Sequence, residues 1–283
     1  MTVVVACNLP DGVVLGTDSV VSIVSQENGQ LLNFHEDTEK LFKLGNKPIG
    51  IAVFGRAFFS NMSIGNYIRQ FEAFQSELFE KETTMEEIVD ALRSFFMDMY
   101  ESTIEEEYGM KWSNVPFEKR QDLGIVVGGF SDGEDLSEIW QIAIPAHNKK
   151  GSAVKVLGQG KFGQIAFGMF DPIKRYLCGY SNELIKDYES YFKDKKQVNI
   201  TNTDIDSLQK ILDKHEYKAA CYAMPIKVGV EYVRFLIGIA INHCKYVTNE
   251  PEPGKRSQAH IVGGKIQIGT VTYRGEPFQI LES

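Results

Sequence analysis

TVVVACNLPDGVVLGTD, residues 2–18, reads as two apolar strands around a tight turn. Thr2 to Leu9 is β-branched and apolar, Pro10-Asp11-Gly12 supplies turn chemistry, and Val13 to Thr17 is apolar again, so the stretch predicts a β-hairpin. Thr2 stands directly behind Met1 at the start of the first strand. Asp18 ends the second, and pairing the two strands can carry it back toward Thr2.

Working outward, Asn28-Gly29 predicts a second hairpin, and Leu41–Leu44, the turn Gly45-Asn46-Lys47-Pro48 and Ile49–Phe54 predict a further strand pair ending before Gly55. The period then changes to that of helices. Ile64, Ile68, Phe71, Phe74 and Leu78 mark one, and Ile88, Leu92, Phe95, Phe96 and Met99 another, which Thr84 and Glu87 open as a capping box. Strands return at Leu123–Phe130, Glu138–Ile144 and Val154–Leu157. Asp171-Pro172 starts a third helix through Ile173, Leu177, Tyr180, Leu184 and Tyr188, and a fourth begins near Thr203. Val233–Ile241 reads as a buried strand, with hairpin material around Gly263-Gly264 and Gly275. Strands and helices in blocks predict an α+β fold, a four-layer αββα sandwich of two antiparallel sheets flanked by helix pairs.

The 283 residues, 43% hydrophobic, predict a single domain over 1–283 with 245–283 as a C-terminal hairpin extension. Lys and Arg number 30 against 38 Asp and Glu, a net charge of −8 that argues against a sequence-independent grip on nucleic acid or an anionic membrane. Cys7, Cys178, Cys221 and Cys244 form no CxxC pair, and the five histidines lack metal-site spacing, so neither metal nor cofactor is expected. Without a basic leader or a bilayer-length apolar run, a cytoplasmic location is expected. Gly158-Gln159-Gly160-Lys161-Phe162-Gly163 matches GxGxxG but sits outside any βαβ unit, which sets a dinucleotide site aside.

The chemistry converges on the opening strand. Removal of Met1, favoured by a small second side chain, would give Thr2 both a hydroxyl nucleophile and an α-amino base with a pKa of roughly 7.7 to 8.0. A lysine beside the hydroxyl lowers the cost of the alkoxide, a buried aspartate keeps that lysine charged, and a glycine N–H can bind an oxyanion. Lys40, Asp18 and Gly55 are the candidates. Taken singly, each has an ordinary structural reading: Thr2 as a β-former, Asp18 as a turn residue, Lys40 as a surface charge, Gly55 as a strand end.

The segments TVVVACNLPDGVVLGTDS, TEKLFKLGNKPIGIAVFG and LGIVVGGF together resemble the first half of a proteasome β-type subunit, a family that includes the ring peptidase HslV and Anbu-type bacterial homologues. The resemblance covers roughly Thr2 to Phe130 and implies the N-terminal nucleophile hydrolase fold, with Thr2 as nucleophile, Asp18 and Lys40 as its charged partners and Gly55 as oxyanion donor. It further implies a supporting loop at Gly158, Gln159 and Gly160, where many relatives carry a serine between two glycines, and a substrate pocket of Val21, Thr38, Val53 and Ala57. Tyr222–Gly229, where relatives supply an aspartate and a serine that steady the N-terminus, holds neither. The activity implied is threonine-type peptide hydrolysis in a homo-oligomeric ring or stacked ring acting on peptides or unfolded protein, with an ATP-dependent unfoldase among the candidate partners. A non-catalytic structural subunit of the same fold and an amidase for small amides are the alternatives.

Overall fold

The computed structural model describes residues 2–24, 31–60, 62–116, 120–145, 151–196, 201–246, 262–272 and 277–282. In chain order these form β1 (Val3–Leu9), β2 (Gly12–Asp18), β3 (Val21–Val24), β4 (Leu31–His35), β5 (Leu41–Lys43), β6 (Ile49–Gly55), β7 (Phe58–Phe59), β8 (Met62–Ser63), α1 (Ile64–Phe74), α2 (Ser76–Glu80) and α3 (Met85–Tyr108). There follow β9 (Leu123–Gly129), β10 (Glu138–Ile144), β11 (Ser152–Leu157), β12 (Gly163–Gly168), α4 (Asp171–Cys178), α5 (Asn182–Lys196), α6 (Asn202–Leu212), α7 (Ile226–Tyr246), β13 (Ile266–Thr272) and β14 (Gln279–Glu282). The fold is mixed α+β, and its sheets are antiparallel. One five-stranded sheet has the order β12-β1-β2-β13-β14 and a second the order β11-β10-β9-β6-β5.

The opening strand shows why its residues are apolar without alternation. Val3, Val5, Cys7 and Leu9 pack with Ile173 and Leu177 of α4 and Val233, Leu236 and Ile237 of α7, while Val4 and Ala6 pack with Ala52 and Val126 of the other sheet. A strand covered on both faces needs apolar residues at every position. The second sheet behaves alike: Ile51, Val53, Ile125 and Val127 meet Ile68 and Phe71 of α1 and Ile88, Leu92 and Phe96 of α3. At the start of α3, Thr84 accepts from the Glu87 N–H while Glu87 accepts from the Thr84 N–H, the capping box read from the sequence.

Several expectations are corrected. Val233–Ile241 is no strand but the middle of α7, whose buried residues Gly229, Val233, Leu236, Ile237, Ala240 and Cys244 recur at helical spacing. The third helix is two, because Gly179 turns left-handed at φ 78 and ends α4. The helix through Leu78 ends at Phe74, and Leu78 falls in the separate α2. Within the tail, β13 pairs antiparallel with β14 on one edge and along its length with β2 on the other, inside the first sheet. The predicted turns at Asn28-Gly29 and Gly275 lie outside the described residues.

Candidate active site

Thr2, Asp18 and Lys40, far apart in sequence, meet at the open end of the β1–β2 hairpin. Asp18 is fixed by main chain: its Oδ1 accepts from Val3 N at 3.0 Å, and its Oδ2 from Val20 N at 3.3 Å and Gly263 N at 3.2 Å. Lys40, just before β5, is held from both sides. Its carbonyl accepts from Val53 N at 2.9 Å, and its own N–H donates to Gln267 Oε1 at 2.9 Å. The Gln267 amide in turn donates to Thr38 O at 3.1 Å. So anchored, Lys40 Nζ donates to Thr2 Oγ1 at 2.9 Å, to Asp18 Oδ1 at 3.1 Å and to the carbonyl of Val20. Those are three acceptors for the three protons of an ammonium group.

The group is dry, with Thr2, Asp18 and Lys40 only 5%, 0% and 3% exposed. Burial pushes the Asp18 carboxyl above its ordinary value, countered by the Lys40 charge and by the N–H groups of Val3 and Gly263. Burial likewise holds the Lys40 ammonium below the usual lysine value, countered by Asp18. An ammonium that is costly to keep charged gains most from a developing negative charge at the oxygen it already touches.

Gly55 ends β6 at φ 87, and a Cβ there would lie 2.2 Å from Asp122 O, so only glycine fits. The neighbouring N–H groups fix its direction: Arg56 N donates to Asp122 O at 2.9 Å, while Val53 N donates to Lys40 O. Along an antiparallel strand the donors alternate between sides. The Gly55 N–H therefore shares the side of Val53, toward the Lys40 segment and beyond the last bond that Lys40 makes there.

Two cavities meet at Thr2 and Gly55. A cleft of about 450 Å³ runs past Ser22, Ile23, Arg56, Ser60 and Asp122. A much smaller cavity of about 30 Å³ is lined by Val21, Thr38, Val53 and Ala57, with Lys40, Ile64 and Gly65. The four residues expected in a substrate pocket thus share one cavity.

The supporting loop lies elsewhere. Asn8 pairs with Gly163, and Val3 with Gly168, so Gly158, Gln159 and Gly160 sit beyond the Leu9 end of β1, about 20 Å from Thr2 at ~3.3 Å per residue. Gly158 lies ten positions before Gly168, the residue that ends β12. The loop that reaches Thr2 is the one after β12: Met169 N donates to Thr2 O at 2.9 Å, and Gly168, at φ 73, would drive a Cβ to 1.9 Å from that same oxygen. Its residues Gly168-Met169-Phe170-Asp171 include no serine. Tyr222–Gly229 is also distant from the site. Gly229 abuts Leu9, at the opposite end of β1. The segment that reaches Asp18 is Gly263–Gln267, and sequence reasoning missed both Gly263 and Gln267. Among the described residues no three His, Cys, Asp or Glu side chains converge as metal ligands, and no helix is long and apolar enough to cross a membrane.

No family model matches the chain, and no curated protein does. Among solved structures, the Gly-1 mutant of Anbu from Hyphomicrobium sp. strain MC1 is similar over 100% of this chain and 88% of its own, with a TM-score of 0.50 and 12% sequence identity. At that identity the likeness is one of fold. It agrees with the resemblance to the proteasome β-type family, in which Anbu-type proteins are included.

Proposed function

We propose that the chain is a threonine-type peptidase subunit, with Thr2 as the nucleophile once Met1 has been removed. The observation that carries the proposal is the buried Lys40 ammonium bridging Thr2 Oγ1 and the Asp18 carboxylate. In this reading the freed α-amine takes the hydroxyl proton and Thr2 Oγ1 attacks the scissile carbonyl. The Gly55 N–H faces the resulting oxyanion. The carbon–nitrogen bond breaks as the amine returns the proton to the leaving nitrogen, leaving an acyl ester on Thr2. Water, deprotonated by the same amine, then hydrolyses the ester. Asp18 and Lys40 hold the charge balance throughout, and no histidine takes part.

Three apolar layers, one between the sheets and one beneath each helical face, support reading the architecture as a four-layer αββα sandwich of the N-terminal nucleophile hydrolase type. With it come assembly into a ring or stacked ring, peptide or unfolded-protein substrates, and an ATP-dependent unfoldase as a candidate partner.

The test is chemical. Thr2→Ala should be inactive against fluorogenic peptides, and Thr2→Ser should retain some turnover. A short unprocessable extension before Thr2 should silence the protein although every side chain remains. Full activity in the extended protein would refute the mechanism. Met169, in the loop bonded to Thr2, brings no hydroxyl to that end of β1, and this favours as a second reading a non-catalytic subunit of the same fold. Intact mass with Met1 retained on every molecule would decide for it.

A further inference from the structure

Two cavities flank Thr2, and they differ about fifteenfold in size. A carbonyl whose oxygen accepts from the Gly55 N–H lies on the Lys40 side of β6, because that is where the N–H points. The side chain on the carbon next to that carbonyl then drops into the cavity bounded by Lys40, Val21, Val53 and Ala57, which is the small one. The larger cleft shares Thr2, Val21, Gly55, Arg56 and Ala57 with the small cavity, extends from them to Ile23 and Asp122, and is left for the remainder of the substrate.

The small cavity holds about 30 Å³. A single water needs ~10–15 Å³, so there is room for two or three non-hydrogen atoms. Its floor has no slack. Ile64 and Val53 belong to the core cluster under the second sheet, and Phe42 of that cluster is seated so close to Gly65 that a Cβ on the glycine would fall 2.7 Å from its ring. Enlarging the cavity from below would mean displacing close-packed core residues.

We infer that the site selects a glycine, alanine or serine as the residue that contributes the scissile carbonyl, with Val21 and Ala57 as the walls that set this limit. The inference rests on Thr2 being the nucleophile, as proposed above. Val21 is the wall open to test, since it is 8% exposed and lies outside the three core clusters.

The experiment uses the full chain and a set of peptidyl vinyl sulfones identical except for Gly, Ala, Val, Leu or Phe next to the sulfone. In the labelling step Thr2 Oγ1 forms a bond to the β-carbon of the vinyl group, and the hydroxyl proton ends on the carbon beside the sulfur. The adduct is located by peptide mapping. Gly and Ala should label Thr2 at least about tenfold faster than Leu or Phe, the discrimination expected when a tight pocket meets extra methylenes. Val21→Ala should raise the Val and Leu rates relative to Ala, and Ala57→Leu should suppress Ala while sparing Gly. Leu or Phe labelling as fast as Ala, or a ranking that neither variant moves, would overturn the inference while leaving Thr2 as nucleophile. Failure of every member to label Thr2 would instead remove the nucleophile reading, and the size selection with it.

Discussion

Replacing Lys40 by methionine keeps the length of the side chain and deletes its charge. Three contacts are lost, to Thr2 Oγ1, to Asp18 Oδ1 and to the carbonyl of Val20. Removing one partner of a buried ion pair costs about 3–5 kcal/mol, because the other charge is left in a dry site. Asp18 still accepts from the N–H groups of Val3, Val20 and Gly263, which places the expected loss at the lower end, about 3 kcal/mol. For a domain of this size that corresponds to a fall in melting temperature of roughly 6–12 °C. The loss also has a sign with pH. Burial raises the Asp18 carboxyl in the folded protein, and Lys40 opposes the rise. Without Lys40 the rise is larger, so the folded variant takes up a proton at Asp18 at higher pH than wild type does. The destabilisation is therefore full near neutral pH and shrinks as pH falls through the raised Asp18 value. Urea unfolding of both proteins from pH 5 to 8 measures it, and a cycle with Asp18→Asn isolates the pair. A Lys40→Met deficit below about 0.5 kcal/mol, or one that does not vary with pH, would show that no buried charge pair joins these residues.

Two further outcomes are expected from neighbouring positions. Gly55→Ala meets Asp122 O at 2.2 Å from a backbone φ of 87, so the end of β6 must shift; turnover should be lost and stability should fall by at least about 1 kcal/mol, read from kcat and denaturant midpoints. Gln267→Leu removes the bonds to Lys40 N and Thr38 O, which should cost about 2 kcal/mol and displace the pH profile of turnover; a stability loss with an unmoved profile would confine Gln267 to packing.

Legibility in the sequence followed the range of the interaction. The β1–β2 hairpin and the Thr84 capping box depend on neighbours a few residues away, and both could be read directly. The approach of Asp18 to Thr2 was expected from the hairpin, whereas the place of Lys40 beside them was implied by the resemblance to the proteasome β-type family and by no local pattern. The errors came where local pattern is ambiguous or contacts are remote. The apolar run Val233–Ile241 suits a buried strand as well as a buried helix, and only the wider spacing from Gly229 to Cys244, too long for a strand, distinguishes them. Gly158 lies before and Gly168 at the end of the same strand, so choosing which glycine turn reaches Thr2 required the register of β12 on β1. Gly263 and Gln267 reach the site from more than two hundred residues along the chain, and the glycine doublet read locally as a turn.

The placement of Thr2 at the head of β1 has one more consequence. That strand is hydrogen bonded on both edges, to β12 and β2, and each face is sealed by an apolar cluster. Segments of this kind belong to the last cooperative unit of a protein to open, and their amides exchange with solvent only when the whole molecule unfolds. The hydroxyl of Thr2 thus stands one residue before such a strand, with the Thr2 carbonyl bonded to Met169 N just after β12, and not on a loop that opens by itself. Its distance to Lys40 is set before any substrate arrives, and heat or denaturant would abolish the site in the same transition that melts the core.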